Sequence, residues 1–139
     1  MSDDDEARLA RIAAAQPAFA NHLGMRIVSA TPDCVVAELE VREEHSNRNG
    51  VLHGGAIMAL ADNTGGTATF LNLPAGAGTT TIESKTNFFA AIRVGEIARA
   101  ECTPLHRGRS TQVWQTRITR PDGKLAALVT QTQMVLGPK

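Results

Sequence analysis

Spaced by its apolar residues, the chain divides into a helical lead, two strands, one long helix and four further strands. Residues 1–7 are rich in acids and read as a flexible, solvated tail, after which Leu9, Ile12 and Ala13 share one side of a helical stretch that Pro17 breaks and Gly24 stops. Met25 to Ala30 and Cys34 to Arg42 follow as strands joined through Thr31-Pro32-Asp33. In the second, Val35, Ala37, Leu39 and Val41 alternate with Val36, Glu38, Glu40 and Arg42. A polar segment, Glu43 to Gly50, leads into the one long helix, Gly54 to Leu71, which must end before Pro74 and the loop that runs to Gly78. Beyond it the pattern returns to strands over Thr79 to Phe89, Glu96 to Leu105, Ser110 to Arg120 and Leu125 to Leu136, the last two joined by Pro121-Asp122-Gly123-Lys124. With connections this short the layout is α+β, an antiparallel sheet packed on a central helix. The 139 residues suffice for one domain, over 8–139.

On a helical wheel, Ile57, Leu60, Ala61, Thr64, Ala68 and Leu71 gather on one side and predict the face that meets the sheet. The opposite side carries Met58, Asp62, Gly66 and Thr69, without the lysines, arginines and glutamates of an ordinary solvent face. Gly65 and Gly66 each cost about 1 kcal/mol relative to alanine inside a helix, which close approach of another element, a second subunit for instance, would offset; the alternative is a helix that loosens there. Asp62 is the sole charged residue between His53 and Leu73. A carboxylate in such company is paired, hydrogen-bonded or used.

Composition narrows the function classes. The 14 basic and 14 acidic residues give a net charge of zero, with Asp3, Asp4, Asp5 and Glu6 bunched together, so no basic stripe is offered to nucleic acid. No positively charged leader and no long apolar run is present, which predicts a soluble, cytoplasmic protein away from membranes. Cys34 and Cys102 lack the spacing of a zinc site or a disulfide scaffold and read as reduced packing residues, and His22, His45, His53 and His106 show no metal-ligand spacing.

The segment Asn47-Arg48-Asn49-Gly50-Val51-Leu52-His53-Gly54-Gly55, with Asp62 nine residues past His53, resembles the hotdog-fold acyl-CoA thioesterases of the phenylacetic acid degradation type. Those enzymes share an Asn-x-x-Gly-x-x-His-Gly-Gly signature and a helix carboxylate at this distance. The likeness runs from about Gly24 to Leu136 and includes His106-Arg107-Gly108-Arg109. It implies a hotdog fold and a homodimer whose sheets join into one, often paired again into a homotetramer, with active sites at the subunit interface. The substrate it implies is an aryl- or medium-chain acyl-CoA. No cofactor beyond the coenzyme A carried by the substrate is implied.

The chemistry is consistent with that resemblance. A thioester under attack develops negative charge on its carbonyl oxygen, and a helix N-terminus offers N–H groups without intrahelical partners; Gly54 stands where one would be needed. Without the signature, Gly54-Gly55 would read as a turn. Asp62 is the candidate general base or nucleophile, and the residues alone leave both routes open. By resemblance, Asn47 and His53 position water or thioester, with Asn47 drawn from the opposite subunit; taken singly, Asn47 would be a turn residue and His53 a helix-entry residue. A hydroxyl on the strand after the helix also belongs to some family sites, and Thr81 is favoured over Thr80. Strand alternation puts Glu83 on the face of Thr81. For the phosphates of coenzyme A, Arg107, Gly108, Arg109 and Ser110 form a cationic turn.

Two other classes compete. A hotdog hydratase acting on acyl thioesters resembles a motif with prolines near the histidine, absent here. A non-catalytic acyl-CoA-binding module would have no need of Asp62 together with the signature.

Overall fold

The computed structural model describes residues 1–138. Its elements follow the predicted order: α1 (Asp3–Ala14), α2 (Ala18–Leu23), β1 (Arg26–Thr31), β2 (Cys34–Glu40), α3 (Gly54–Phe70), β3 (Gly78–Phe88), β4 (Ile97–Arg107), β5 (Thr111–Thr119) and β6 (Leu125–Leu136). Pro17 caps α2 and Gly24 ends it in the left-handed conformation at φ 80°.

The first residues differ from expectation. Helix α1 starts at Asp3 instead of after residue 7, because Ser2 and Asp5 form a capping box and the acids of the first turn face the positive end of the helix dipole. The cluster read as a tail is thus a helix start, although its side chains stay largely exposed.

All six strands join one antiparallel sheet in the order β1-β2-β4-β5-β6-β3, with α3 packed across one face. This is an antiparallel sheet wrapped around one long helix. Small residues on the inner strands make room for it: Ala37 pairs with Ala100, Leu39 with Ala98 and Ala127 with Ile118, and these six are fully or almost fully buried beneath Ile57, Leu60 and Ala61. Burying each large side chain of this set contributes about 1.5–3 kcal/mol. β1 and β3 are the sheet edges, and β3 offers eleven residues of strand whose second edge is unpaired among the described residues.

Two details of the wheel change. Thr69, placed on the outer side, is fully buried, its Oγ1 donating to Gly65 O at 2.7 Å, whereas Leu71 is half-buried at the C-cap. The helix does not loosen at the glycines but runs through to Phe70. At Gly65 the close neighbour is the chain's own β6 and not a second subunit, for a β-carbon there would collide with the carboxamide of Gln131. At Gly66 an added β-carbon would meet nothing within 4 Å. No helix among the described residues is long and apolar enough to cross a membrane.

Candidate active site

Asp62 stands at the midpoint of α3, eight residues from Gly54 and eight from Phe70. At 1.5 Å per residue it lies about 12 Å along the axis from either end. Its Oδ1 accepts two hydrogen bonds, from Thr81 Oγ1 at 2.9 Å and from Gln131 Nε2 at 2.8 Å. Behind them Gln133 Nε2 donates to Thr81 Oγ1 at 2.7 Å, which leaves the threonine proton for the carboxylate. Among the described residues Oδ2 has no partner and no cation reaches Asp62; the residue is exposed, and two donors converge on Oδ1 alone.

Strand register decides which neighbours Asp62 has. Thr81 pairs with Gln133 and Thr80 with Met134; Gln133 is buried beneath α3 while Met134 is exposed, so Thr81 and not Thr80 meets the helix. A bulge between Thr81 and Glu83 then places Glu83 opposite Thr132. The expected alternation fails at that point, and Glu83 leaves the face that Thr81 occupies.

Gln131 and Gln133 are the members of this cluster that the sequence reading missed. Their signal was present: along β6 the inward positions run Ala127, Val129, Gln131, Gln133, two apolar residues followed by two glutamines at the same period of two.

Asp62 also walls a groove of about 610 Å³ between α1 and α3, formed by Ile12, Ala15, Pro17, Gly66, Phe70 and Leu71 together with Arg8, Arg11 and Gln16. It is a mainly apolar trough with one carboxylate in its wall.

The signature residues gather elsewhere, at the N-terminus of α3. His53 is its N-cap: Nδ1 accepts from Gly55 N–H at 2.8 Å, and its own N–H donates to His45 O at 2.8 Å. Gly54 N–H has no acceptor among the described residues. Asn47 shapes the preceding turn, its Oδ1 accepting from Asn49 N–H at 2.8 Å, and Gly50 closes that turn at φ 74°. Asn47 and His53 line a hollow of about 720 Å³ with Ser46, Arg48 and Asn49, and Asp62 is not part of it. Within one chain the structure therefore brings Asp62 to Thr81, and Asn47 to His53 and Gly54, but holds the two groups about 12 Å apart.

The turn Arg107 to Ser110 lies beyond the other end of α3. Arg107 Nη1 bonds Asp33 Oδ1 at 2.8 Å, Pro32 O at 3.1 Å and Asn72 Oδ1 at 3.4 Å, and so ties the β1–β2 turn to the end of the helix. Arg109 has no partner among the described residues. Gly108 N–H donates to Thr111 O at 2.9 Å, and a β-carbon on Gly108 would press on His106. Among the described residues no group of three His, Cys, Asp or Glu side chains is placed to hold a metal. Burial pushes the Cys102 thiol up to about 12, so it stays an unreactive packing group at neutral pH.

Comparison with known proteins adds four findings. The profile of the thioesterase superfamily matches residues 49–127, a stretch that holds Gly54, Asp62 and Thr81. The proofreading thioesterase EntH of Cronobacter turicensis is 30% identical over 116 residues, 84% of this chain and 84% of that protein. Among solved structures, a thioesterase variant from Pseudomonas aeruginosa superposes with TM-score 0.87 at 27% identity over 92% of this chain and 93% of that one. A thioesterase from Haemophilus influenzae gives 0.85 at 28% over 99% and 93%.

Proposed function

Since the chain belongs to the thioesterase superfamily, we propose that it hydrolyses acyl-CoA thioesters to the free acid and the coenzyme A thiol, with Asp62 as the reacting carboxylate. The observation that carries this reading is the asymmetry of Asp62, whose Oδ1 is held by two donors while Oδ2 is open. As general base, Oδ2 takes a proton from water as the water oxygen adds to the thioester carbon. The carbonyl electron pair moves onto oxygen, and its return expels the thiolate, which takes up a proton. As nucleophile, Oδ2 itself adds and expels the thiolate, and water then cleaves the mixed anhydride. Both routes use the same oxygen. The groove beside Asp62 receives the acyl group, aryl or medium-chain, against Ile12, Phe70 and Leu71.

Gly54 N–H is the donor for the developing oxyanion, and Asn47 and His53 position the water or thioester. An oxyanion donor must come within about 3 Å of the reacting oxygen, and Gly54 is about 12 Å from Asp62 in its own chain. The site is therefore completed by a second copy that brings its α3 N-terminus to the first copy's Asp62. The open edge of β3 supports such a pairing: the strand is long, contains Thr81, and carries Ile82 and Phe88 exposed at 53% and 52%, with Phe89 just beyond its end exposed at 58%. The assembly is a homodimer, joined further into a tetramer.

Thiol release measured on a panel of aryl-, short- and medium-chain acyl-CoAs tests the reaction. The expected result is turnover of aryl or medium-chain members on the order of 10 s⁻¹. Loss of double-bond absorbance without thiol would indicate a hydratase, and binding without release an acyl-CoA-binding module.

The nucleotide end is assigned to the Arg107 to Ser110 turn, with Arg109 as its available cation because Arg107 is engaged by Asp33. Arg109→Ala should raise KM for acyl-CoA roughly fivefold at low salt with kcat unchanged, since an exposed charge binds without reacting. An unchanged KM would make this turn a solvated one.

A further inference from the structure

Gln131 and Gln133 are each 1% exposed, on the side of β6 that elsewhere carries Ala127 and Val129. Gln131 Oε1 has no hydrogen-bond partner, although it is buried. The carboxamide of Gln131 fits over α3 only because residue 65 is glycine. Stability alone would favour the opposite choices, since a glycine inside a helix is worse than alanine and a buried amide oxygen without a donor is worse than a hydrocarbon. Two positions, Gly65 and Gln131, are thus set against stability, and they meet beside Asp62.

The hydrogen bonds give the reason. Gln131 Nε2 donates directly to Asp62 Oδ1 at 2.8 Å. Gln133 acts one step behind: its Oε1 lies 3.0 Å from Thr79 Oγ1, and its Nε2 donates at 2.7 Å to Thr81 Oγ1, whose proton then points at Oδ1. Both donors that reach the carboxylate converge on one oxygen. A carboxylate on a short side chain otherwise turns freely about its last bond, and either oxygen could face the substrate. We infer that Gln131, seated over Gly65, and Gln133, through Thr81, are positioning residues that lock the Asp62 carboxylate with Oδ1 saturated and Oδ2 presented for reaction. The inference rests on Asp62 being the reacting carboxylate. Neither glutamine touches substrate.

Gln131→Leu keeps the volume and removes the donor. The expected result is kcat lower by roughly 10-fold, the range for losing one hydrogen bond to a charged group, with KM within about twofold and the melting temperature unchanged or raised. Gly65→Ala displaces the same carboxamide and should lower kcat by a similar factor. The double variant should be no worse than the poorer single one, because both changes remove one bond. Gln133→Leu should lower kcat less, since it acts through Thr81. On an Asp62→Asn background, Gln131→Leu should cost nothing further. Wild-type kcat in folded Gln131→Leu and Gly65→Ala would overturn the inference, as would a loss confined to KM. Should Asp62→Asn itself retain turnover, the reading of Asp62 fails separately and before this one. Gly65→Ala keeps the inference testable if Gln131→Leu does not fold.

Discussion

Asp62→Asn should lower kcat by roughly 10²-fold or more while leaving fold, assembly and acyl-CoA binding in place. The asparagine oxygen can take the position of Oδ1 and accept from both Thr81 and Gln131, so the local hydrogen bonds survive. The amide nitrogen then replaces Oδ2, the oxygen without a partner, and brings neither basicity nor nucleophilicity. Binding and turnover should therefore separate: KM changes little, the melting temperature stays or rises, and thiol release slows by that factor. An active, folded Asp62→Asn protein would make Asp62 structural.

Much of this was legible along the chain. Alternation in β2 and the turn between β5 and β6 placed strands within about two residues of where they stand, because apolar period and turn chemistry act locally. The core face of α3 was equally clear in Ile57, Leu60, Ala61 and Ala68. What failed depended on neighbours distant in sequence or on an unsuspected cap. The acids after Ser2 read as a tail by their charge, whereas the reciprocal Ser2–Asp5 cap makes them the first turn of a helix. Thr69 looked outward on an ideal wheel, yet it is buried and bonded to Gly65 O. Glu83 was assigned the face of Thr81 since alternation cannot foresee a bulge.

The site divides in the same way. The signature and Asp62 stood out in sequence because they are unusual locally, an uncharged helix with one carboxylate. Gln131 and Gln133 were overlooked because a glutamine in a strand is ordinary until its register is known, and that register is fixed 50 residues away by β3. Gly65 stands out in the sequence for its cost, and only the fold shows that its close neighbour is the Gln131 carboxamide of the same chain. Arg107 and Arg109 looked equivalent, and only the fold brings Asp33 to one of them.

Gly54→Pro should be the second severe lesion. Gly54 is the first residue of α3, the position that best tolerates proline, and His53 before it is already extended at φ −61° and ψ 137°, as a residue preceding proline must be. The Phe88 ring, 3.3 Å from a β-carbon at this position, has to shift by a few tenths of an ångström. The substitution removes one N–H and little else, and loss of an oxyanion donor is expected to lower kcat by roughly 10²–10³-fold.

Neither variant alone tells whether the two residues act across chains, but together they do. Asp62→Asn and Gly54→Pro chains carrying different affinity tags are co-expressed and purified as the mixed dimer. One of its sites then carries both lesions and the other none, and thiol release from acyl-CoA should return to about half the wild-type turnover per dimer. Mixed dimers as inactive as their parents would contradict a site built from Asp62 of one chain and Gly54 of the other.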